Sequence, residues 1–192
     1  MFFNQKKPIN NFNIFYIFTI ILSVFTLSNI AKQIPAEAGL EFQWNSNDGY
    51  KKLKWYQKDG QKKAKNKIFF FLRPSERKTG LLKINFKVPD NFKSTIKENK
   101  ISLCKVQIGG IDKRTKCLEP VPSDVELNED KTRFDIYPYN PIPSSKDSYA
   151  VVLKVNNPHR SGLYQFHSFG QSSGRVPVSS YLGSWTIKID QM

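Results

Sequence analysis

Apolar residues recur at every second position along this chain, and no long stretch shows the 3.6-residue period of an amphipathic helix. Leu82, Ile84, Phe86 and Val88 alternate with Lys83, Asn85 and Lys87. Gly183, Trp185, Ile187 and Ile189 alternate with Ser184, Thr186, Lys188 and Asp190. Successive side chains of a strand point to opposite faces, so each run reads as a strand with one buried and one wet face. Residues 68–72 (IFFFL) and 150–153 (AVVL) lack the alternation and read as central strands covered on both sides. Val125 and Leu127, then Phe134 and Ile136, flank residues 128–132 as the arms of a hairpin. Residues 138–143 hold too many prolines for a strand interior and read as a crossing loop. About nine to eleven short strands at this spacing predict an all-β, antiparallel, immunoglobulin-like sandwich. One short helical turn is expected over residues 90–97, with Asp90 as its cap.

Residues 101–119 read ISLCKVQIGGIDKRTKCLE and hold the only two cysteines, Cys104 and Cys117, on either side of Gly109-Gly110. That dipeptide is a strong turn signal. A turn over residues 109–112 sets Leu103 opposite Leu118, Val106 opposite Thr115 and Cys104 opposite Cys117. Sulfurs facing each other across an antiparallel pair can reach the short separation a disulfide needs. Closing a loop of this length stabilises a fold by about 3 kcal/mol. Two buried free thiols, or half of a metal site, are the alternatives. The disulfide requires an oxidising compartment.

The start of the chain points to such a compartment. Lys6 and Lys7 precede an uncharged, mostly apolar run over residues 14–27, and a more polar stretch then ends in Ala36-Glu37-Ala38. A basic end, an apolar middle and small residues before the cut are the order of a secretory signal peptide, here cleaved between Ala38 and Gly39. The run is short for a membrane span, which takes about 20 residues. Extension to Ile30 and the position of Lys32 leave an uncleaved N-terminal anchor as the alternative. Either way Lys6 and Lys7 stay cytoplasmic and the rest is exported to periplasm, lumen or cell surface. Residues 1–38 are the signal peptide in this reading, and residues 39–192 form one domain.

The chain carries 30 Lys and Arg against 16 Asp and Glu, a formal charge of +14. Residues 51–100 hold 16 of the basic and 4 of the acidic side chains. Abundant Lys, Asn and Ile also fit an AT-rich coding sequence, so charge alone names no partner. Pairing adds something. Asp59-Gly60 as a two-residue turn places Lys54 opposite Lys65 and Lys52 opposite Lys67. Leu53 and Trp55 then point inward, leaving Lys52, Lys54, Tyr56, Lys58, Lys63, Lys65 and Lys67 on one outer face. Like charges set opposite each other destabilise a sheet. That face is therefore a candidate site for an anionic polysaccharide, a membrane surface or an acidic protein. A solvated lysine edge that deters strand-to-strand aggregation is the alternative. Export removes nucleic acid from the partners.

Other constellations carry less. Ser75 to Lys78 fits S-x-x-K and Lys78 to Gly80 fits K-T-G, but the two overlap in six residues, and one lysine cannot serve both roles. His159 and His167 are the only histidines, and Met192 is the only methionine beyond the leader. A periplasmic copper-carrier-like sandwich is thus the second functional reading, short of the several His or Met ligands copper favours. Ser, Asp and Glu are too scattered to compose a triad or an acid–base pair. No enzyme, cofactor or metal site is expected.

EFQW at residues 41–44, FFLRP at 70–74, SLCKVQIGG, RTKCLE, VELNED, YAVVLKVNNP at 149–158 and YLGSW at 181–185 stand in this order. Together they resemble a cyanobacterial secreted domain family of unknown function. The resemblance covers residues 39–189 and implies an exported single-domain protein cleaved at Ala36-Glu37-Ala38. It implies no reaction, cofactor or substrate.

Overall fold

Ten strands pair antiparallel into two sheets in the computed structural model, which describes residues 51–173 and 178–190. The leader, with Ala36, Ala38 and Gly39, lies outside the described residues. In chain order the strands are β1 (Trp55–Gln57), β2 (Lys65–Leu72), β3 (Leu81–Lys87), β4 (Ile101–Gln107) and β5 (Lys116–Val121). They continue as β6 (Ser123–Leu127), β7 (Arg133–Pro138), β8 (Tyr149–Asn156), β9 (Gly162–Ser172) and β10 (Ser179–Ile189). One sheet runs β1-β2-β8-β4-β5 and the other β10-β9-β3-β7-β6. This is the expected immunoglobulin-like sandwich architecture.

Period-two patterning builds the core. Phe70 points inward from β2 and meets Phe86, Phe166 and Trp185 of the opposite sheet, with ring centroids 5.5, 5.0 and 5.1 Å away. Phe86 stacks on Trp185 at 4.9 Å and on Phe134 at 4.7 Å. The uninterrupted runs become β2 and β8, buried on both faces as expected. The β6–β7 hairpin also forms as expected, with Val125 opposite Ile136 and Leu127 opposite Phe134. Asn128 closes its loop by accepting the Arg133 N–H at 2.8 Å. Residues 139–148 cross between the sheets, and Ile142 is buried where it bridges Leu81. A register shift between Leu81 and Lys83 turns Leu81 inward and leaves Leu82 exposed, against the simple alternation.

The helical turn expected over residues 90–97 does not form. Phe92 and Ile96 instead drop into the core, where the Phe92 ring packs edge-on against Tyr164 and Phe166. Their backbone makes short local bonds, from the Phe92 N–H to Pro89 O and the Ser94 N–H to Phe92 O. Packing at the end of the sandwich overrides a weak local preference. Two 3-10 turns stand elsewhere, Pro74–Glu76 and Glu98–Lys100, where at most one helical turn was expected.

The first hairpin is also paired differently. Trp55 lies opposite Phe70, Tyr56 opposite Phe69 and Gln57 opposite Ile68, so Lys54 does not face Lys65 and Lys52 does not face Lys67. The cause is β10. Leu53 donates to Ser184 O and Ser184 donates back to Lys51 O, both at 2.8 Å, while Asp190 donates to Gly60 O at 2.8 Å. Held along β10 in this way, the chain needs residues 58–64 to turn into β2. Asp59-Gly60 is only part of that loop. Buried Asn157 organises it, donating to the carbonyls of Asp59 and Gln61 at 3.1 and 2.7 Å. Gly183 is required where the strap crosses: its φ is +143°, and a Cβ there would lie 2.6 Å from Leu53 Cγ.

Cys104 and Cys117 form the disulfide, with Cα atoms 5.7 Å apart. They are not directly opposite. Cys104 faces Pro120 and Val106 faces Cys117, because the register shifts between Lys105 and Val106 and leaves Leu118 as the extra, exposed residue of a bulge. The expected tight turn over residues 109–112 is a longer loop, residues 108–115, folded back on itself. In it Gly109 donates to Thr115 Oγ1 at 3.0 Å and Gly110 to Lys113 O at 2.9 Å.

Candidate anion-binding face

The first sheet's outer face has an apolar floor. Phe69 and Phe71 of β2, Cys104 and Val106 of β4, and Ala150 and Val152 of β8 form a buried cluster separate from the main core. Tyr56 lies over this floor, its ring centroid 5.9 Å from that of Phe69, and is 42% exposed. Lys67 folds its ammonium over the Phe69 ring, 4.8 Å from the centroid.

Lysines line one end of the floor. Lys67 lies opposite Lys154 on β8, and on its other side the Lys58 N–H donates to Lys67 O at 3.1 Å. Lys58, Lys67 and Lys154 thus form a cross-strand row. Lys65 lies opposite Asn156 on the same alternating face, and exposed Lys54 flanks Tyr56. The remaining two expected members sit elsewhere: Lys52 is bridged to Ser184, and Lys63 occupies a left-handed loop position with φ 61°. Sequence reasoning missed Lys154, whose partner depends on the β2–β8 pairing of strands far apart in the chain.

Both sheets set cations side by side and both hold ion pairs: on the second sheet Lys87 lies opposite Arg133, and on the first Lys105 Nζ is 2.9 Å from Asp147. On the second sheet's outer face Lys83 Nζ is 2.7 Å from Asp135. Among the described residues, none of Lys54, Lys58, Lys65, Lys67 or Lys154 has an ion-pair partner. The lysine row is, among the described residues, a positive strip without ion pairs beside an apolar floor.

The other constellations resolve into structure. Ser75 lies in the 3-10 turn, where the Glu76 carboxylate accepts the Arg73 N–H at 2.7 Å and pairs with the Arg73 guanidinium. His159 is exposed in the β8–β9 loop. His167, on β9, places Nδ1 2.7 Å from Ser184 Oγ, and Tyr181 OH lies 2.5 Å from the same oxygen. Ser184 is fully buried, which keeps this hydroxyl from acting as an accessible nucleophile. No group of three or more His, Cys, Asp and Glu is placed to hold a metal among the described residues.

Burial, with a smaller contribution from Lys87, holds the His167 imidazole below its ordinary pKa. The unfolded chain therefore takes up that proton first as pH falls. Stability is expected to decline as pH drops from about 6.5 towards the lower folded value. Chemical denaturation of the protein and of His167→Gln at several pH values between about 5 and 8 checks this. The variant should lack that part of the slope, and equal slopes would contradict it.

Against solved structures, the chain is similar to BslA, a bacterial hydrophobin, at 13% identity over 73% of this chain and 98% of that one, with a TM-score of 0.43. It is similar to the collagen-binding domain from a Staphylococcus aureus adhesin at 11% identity, 70% and 95% coverage and a TM-score of 0.39. It is also similar to the collagen-binding subdomain of the Enterococcus faecalis surface protein ACE at 9% identity, 70% and 95% coverage and a TM-score of 0.41. Likenesses this distant do not bear on what the chain binds. No curated protein matches it in sequence. A family model described as "Protein of unknown function (DUF2808)" matches residues 42–189.

Proposed function

The chain therefore belongs to the DUF2808 family, whose description carries no activity, and on that footing we propose that it is an exported, non-enzymatic envelope module that holds an anionic polymer against its lysine-bearing face. In this reading residues 1–38 direct export, residues 39–192 remain as one domain, and the source is cyanobacterial, as the motif resemblance implies. The Cys104–Cys117 bridge supports export, since such bonds persist in oxidising compartments. The copper-carrier alternative gains no observation in its favour.

One observation carries the proposal. Among the described residues, Lys58, Lys67 and Lys154 stand side by side as a three-lysine row without acidic partners next to exposed Tyr56, where the second sheet sets one such pair, Lys87 opposite Arg133. Adjacent like charges cost stability, and a polyanion would relieve them. The test is to change Lys58, Lys67 and Lys154 together to Gln and measure retention on an immobilised acidic polysaccharide across a salt series. The wild type should release as salt passes about 0.15 M, where screening shortens the reach of surface charge to about 8 Å. The variant should release earlier and melt slightly higher. Unchanged retention with an intact fold would overturn the proposal and leave a solvated edge.

A further inference from the structure

At the other end of the apolar floor, the loop over residues 108–115 curls towards β1 and borders an open cavity of ≈ 530 Å³. Its walls include Lys54, Tyr56, Phe71, Arg73, Lys113 and Arg114. We propose that this cavity seats one acidic sugar residue of the polysaccharide, an inference that rests on the polymer-binding reading above and gives it a specific subsite.

Size, wall chemistry and preorganisation support it. The volume falls within the roughly 300–1,000 Å³ of small-ligand pockets, large enough for a sugar ring and wider than a bare anion needs. Tyr56, 42% exposed, offers flat apolar surface, which matches the less polar face of a ring, and buried Phe71 supports it from below. The charged walls do not cancel. Arg73 is taken by Glu76, with Nη2 2.7 Å from Oε1, but Lys54, Lys113 and Arg114 have no ion-pair partner among the described residues. Lys54, Lys113 and Arg114 beside the Tyr56 ring suit a carboxylate or sulfate carried on a sugar. The guanidinium of Arg114 can hold such a group through two hydrogen bonds.

The loop that brings Lys113 and Arg114 to the cavity is built rather than loose. A Cβ on Gly109 would lie 2.7 Å from Thr115 N and 2.8 Å from Lys113 O, so the backbone closes tightly on itself there. Gln107 Nε2 ties Arg114 O at 3.3 Å, and the disulfide fixes the strands at the base of the loop. A flat lipid surface would meet the lysine row more readily than a concave pocket. The cavity favours a ligand that can insert one residue while the polymer continues along the row.

The test uses the full exported chain with trigalacturonate, its neutral counterpart trigalactose, immobilised polygalacturonate, and vesicles with and without anionic lipid. Calorimetric titration should show trigalacturonate binding at least about tenfold more tightly than trigalactose. Lys113→Gln with Arg114→Gln should remove most of that difference while leaving much of the retention on long polymer. The Lys58, Lys67 and Lys154 variant should do the reverse, losing polymer retention and keeping the trisaccharide. Equal trisaccharide binding by the wild type and the loop variant would overturn the subsite alone. A row variant with unchanged polymer retention would overturn the broader reading and leave the subsite standing. Loss of anionic-vesicle binding in the loop variant, with no trisaccharide binding by the wild type, would make the ligand a lipid headgroup and overturn the sugar assignment.

Discussion

Trp185→Ala is expected to lower the stability of the folded domain by about 3–5 kcal/mol, the range for truncating a large buried aromatic side chain. Trp185 is fully buried at the point where the two sheets meet. Its ring stacks on Phe86 with 3° between planes, contacts Phe70 at 5.1 Å, and donates through Nε1 to Phe71 O at 3.3 Å. Truncation opens a hole between rings contributed by β2 and β3, and also orphans a buried carbonyl. For a domain of this size the melting midpoint should fall by about 6–20 °C. Trp185→Phe keeps a stacked ring and should recover more than half of the loss. Thermal unfolding followed by near-ultraviolet circular dichroism measures both. A fall of less than about 2 °C for the alanine variant would mean that the core does not converge on this residue.

Removing the disulfide through Cys104→Ala with Cys117→Ala is expected to cost about 3 kcal/mol, or about 6–12 °C in the melting midpoint. The effect arises mainly in the unfolded chain, where the bond restrains a separation of 13 residues. The native sheet should survive, because β4 keeps its pairing with β8 from Ile101 to Lys105 on the other side. The loss should appear as a lower midpoint of a cooperative transition, without loss of strand signal. Reduction of the wild type should produce a similar fall. An unchanged midpoint after complete reduction would contradict a closed bridge in the folded protein.

Short-range features of the fold were legible in the sequence. Val125, Leu127, Phe134 and Ile136 predict their own hairpin because the loop between them is local and every arm residue keeps its alternation. The apolar runs over residues 68–72 of β2 and 150–153 of β8 declare their central positions in the same way. Register was less accessible where a distant strand decides it. Asp59-Gly60 is a sound local turn signal, yet β10, more than a hundred residues away in the chain, holds the segment before it and moves the turn. The bulge at Leu118 leaves no mark in composition, so the cysteine partners were found while the residues opposite them were not. The candidate face followed the same division. Lys54, Tyr56, Lys58, Lys65 and Lys67 could be read from alternation, but Lys154 depended on sheet order, and Lys113 and Arg114 on a loop that looked like a plain turn.

The strap before β2 has a mechanical consequence. Residues 52 and 61 bridge to residues 184 and 190 in parallel, so Lys52 and Asp190 lie at opposite ends of the contact. Tension between those ends would slide the strap along β10 and strain its hydrogen bonds in shear, all together. Strands arranged as a hairpin would instead peel apart one bond at a time. A pull along the chain would therefore load this seam in shear, and Gly183 sits on it, where a Cβ would lie 2.6 Å from Leu53 Cγ.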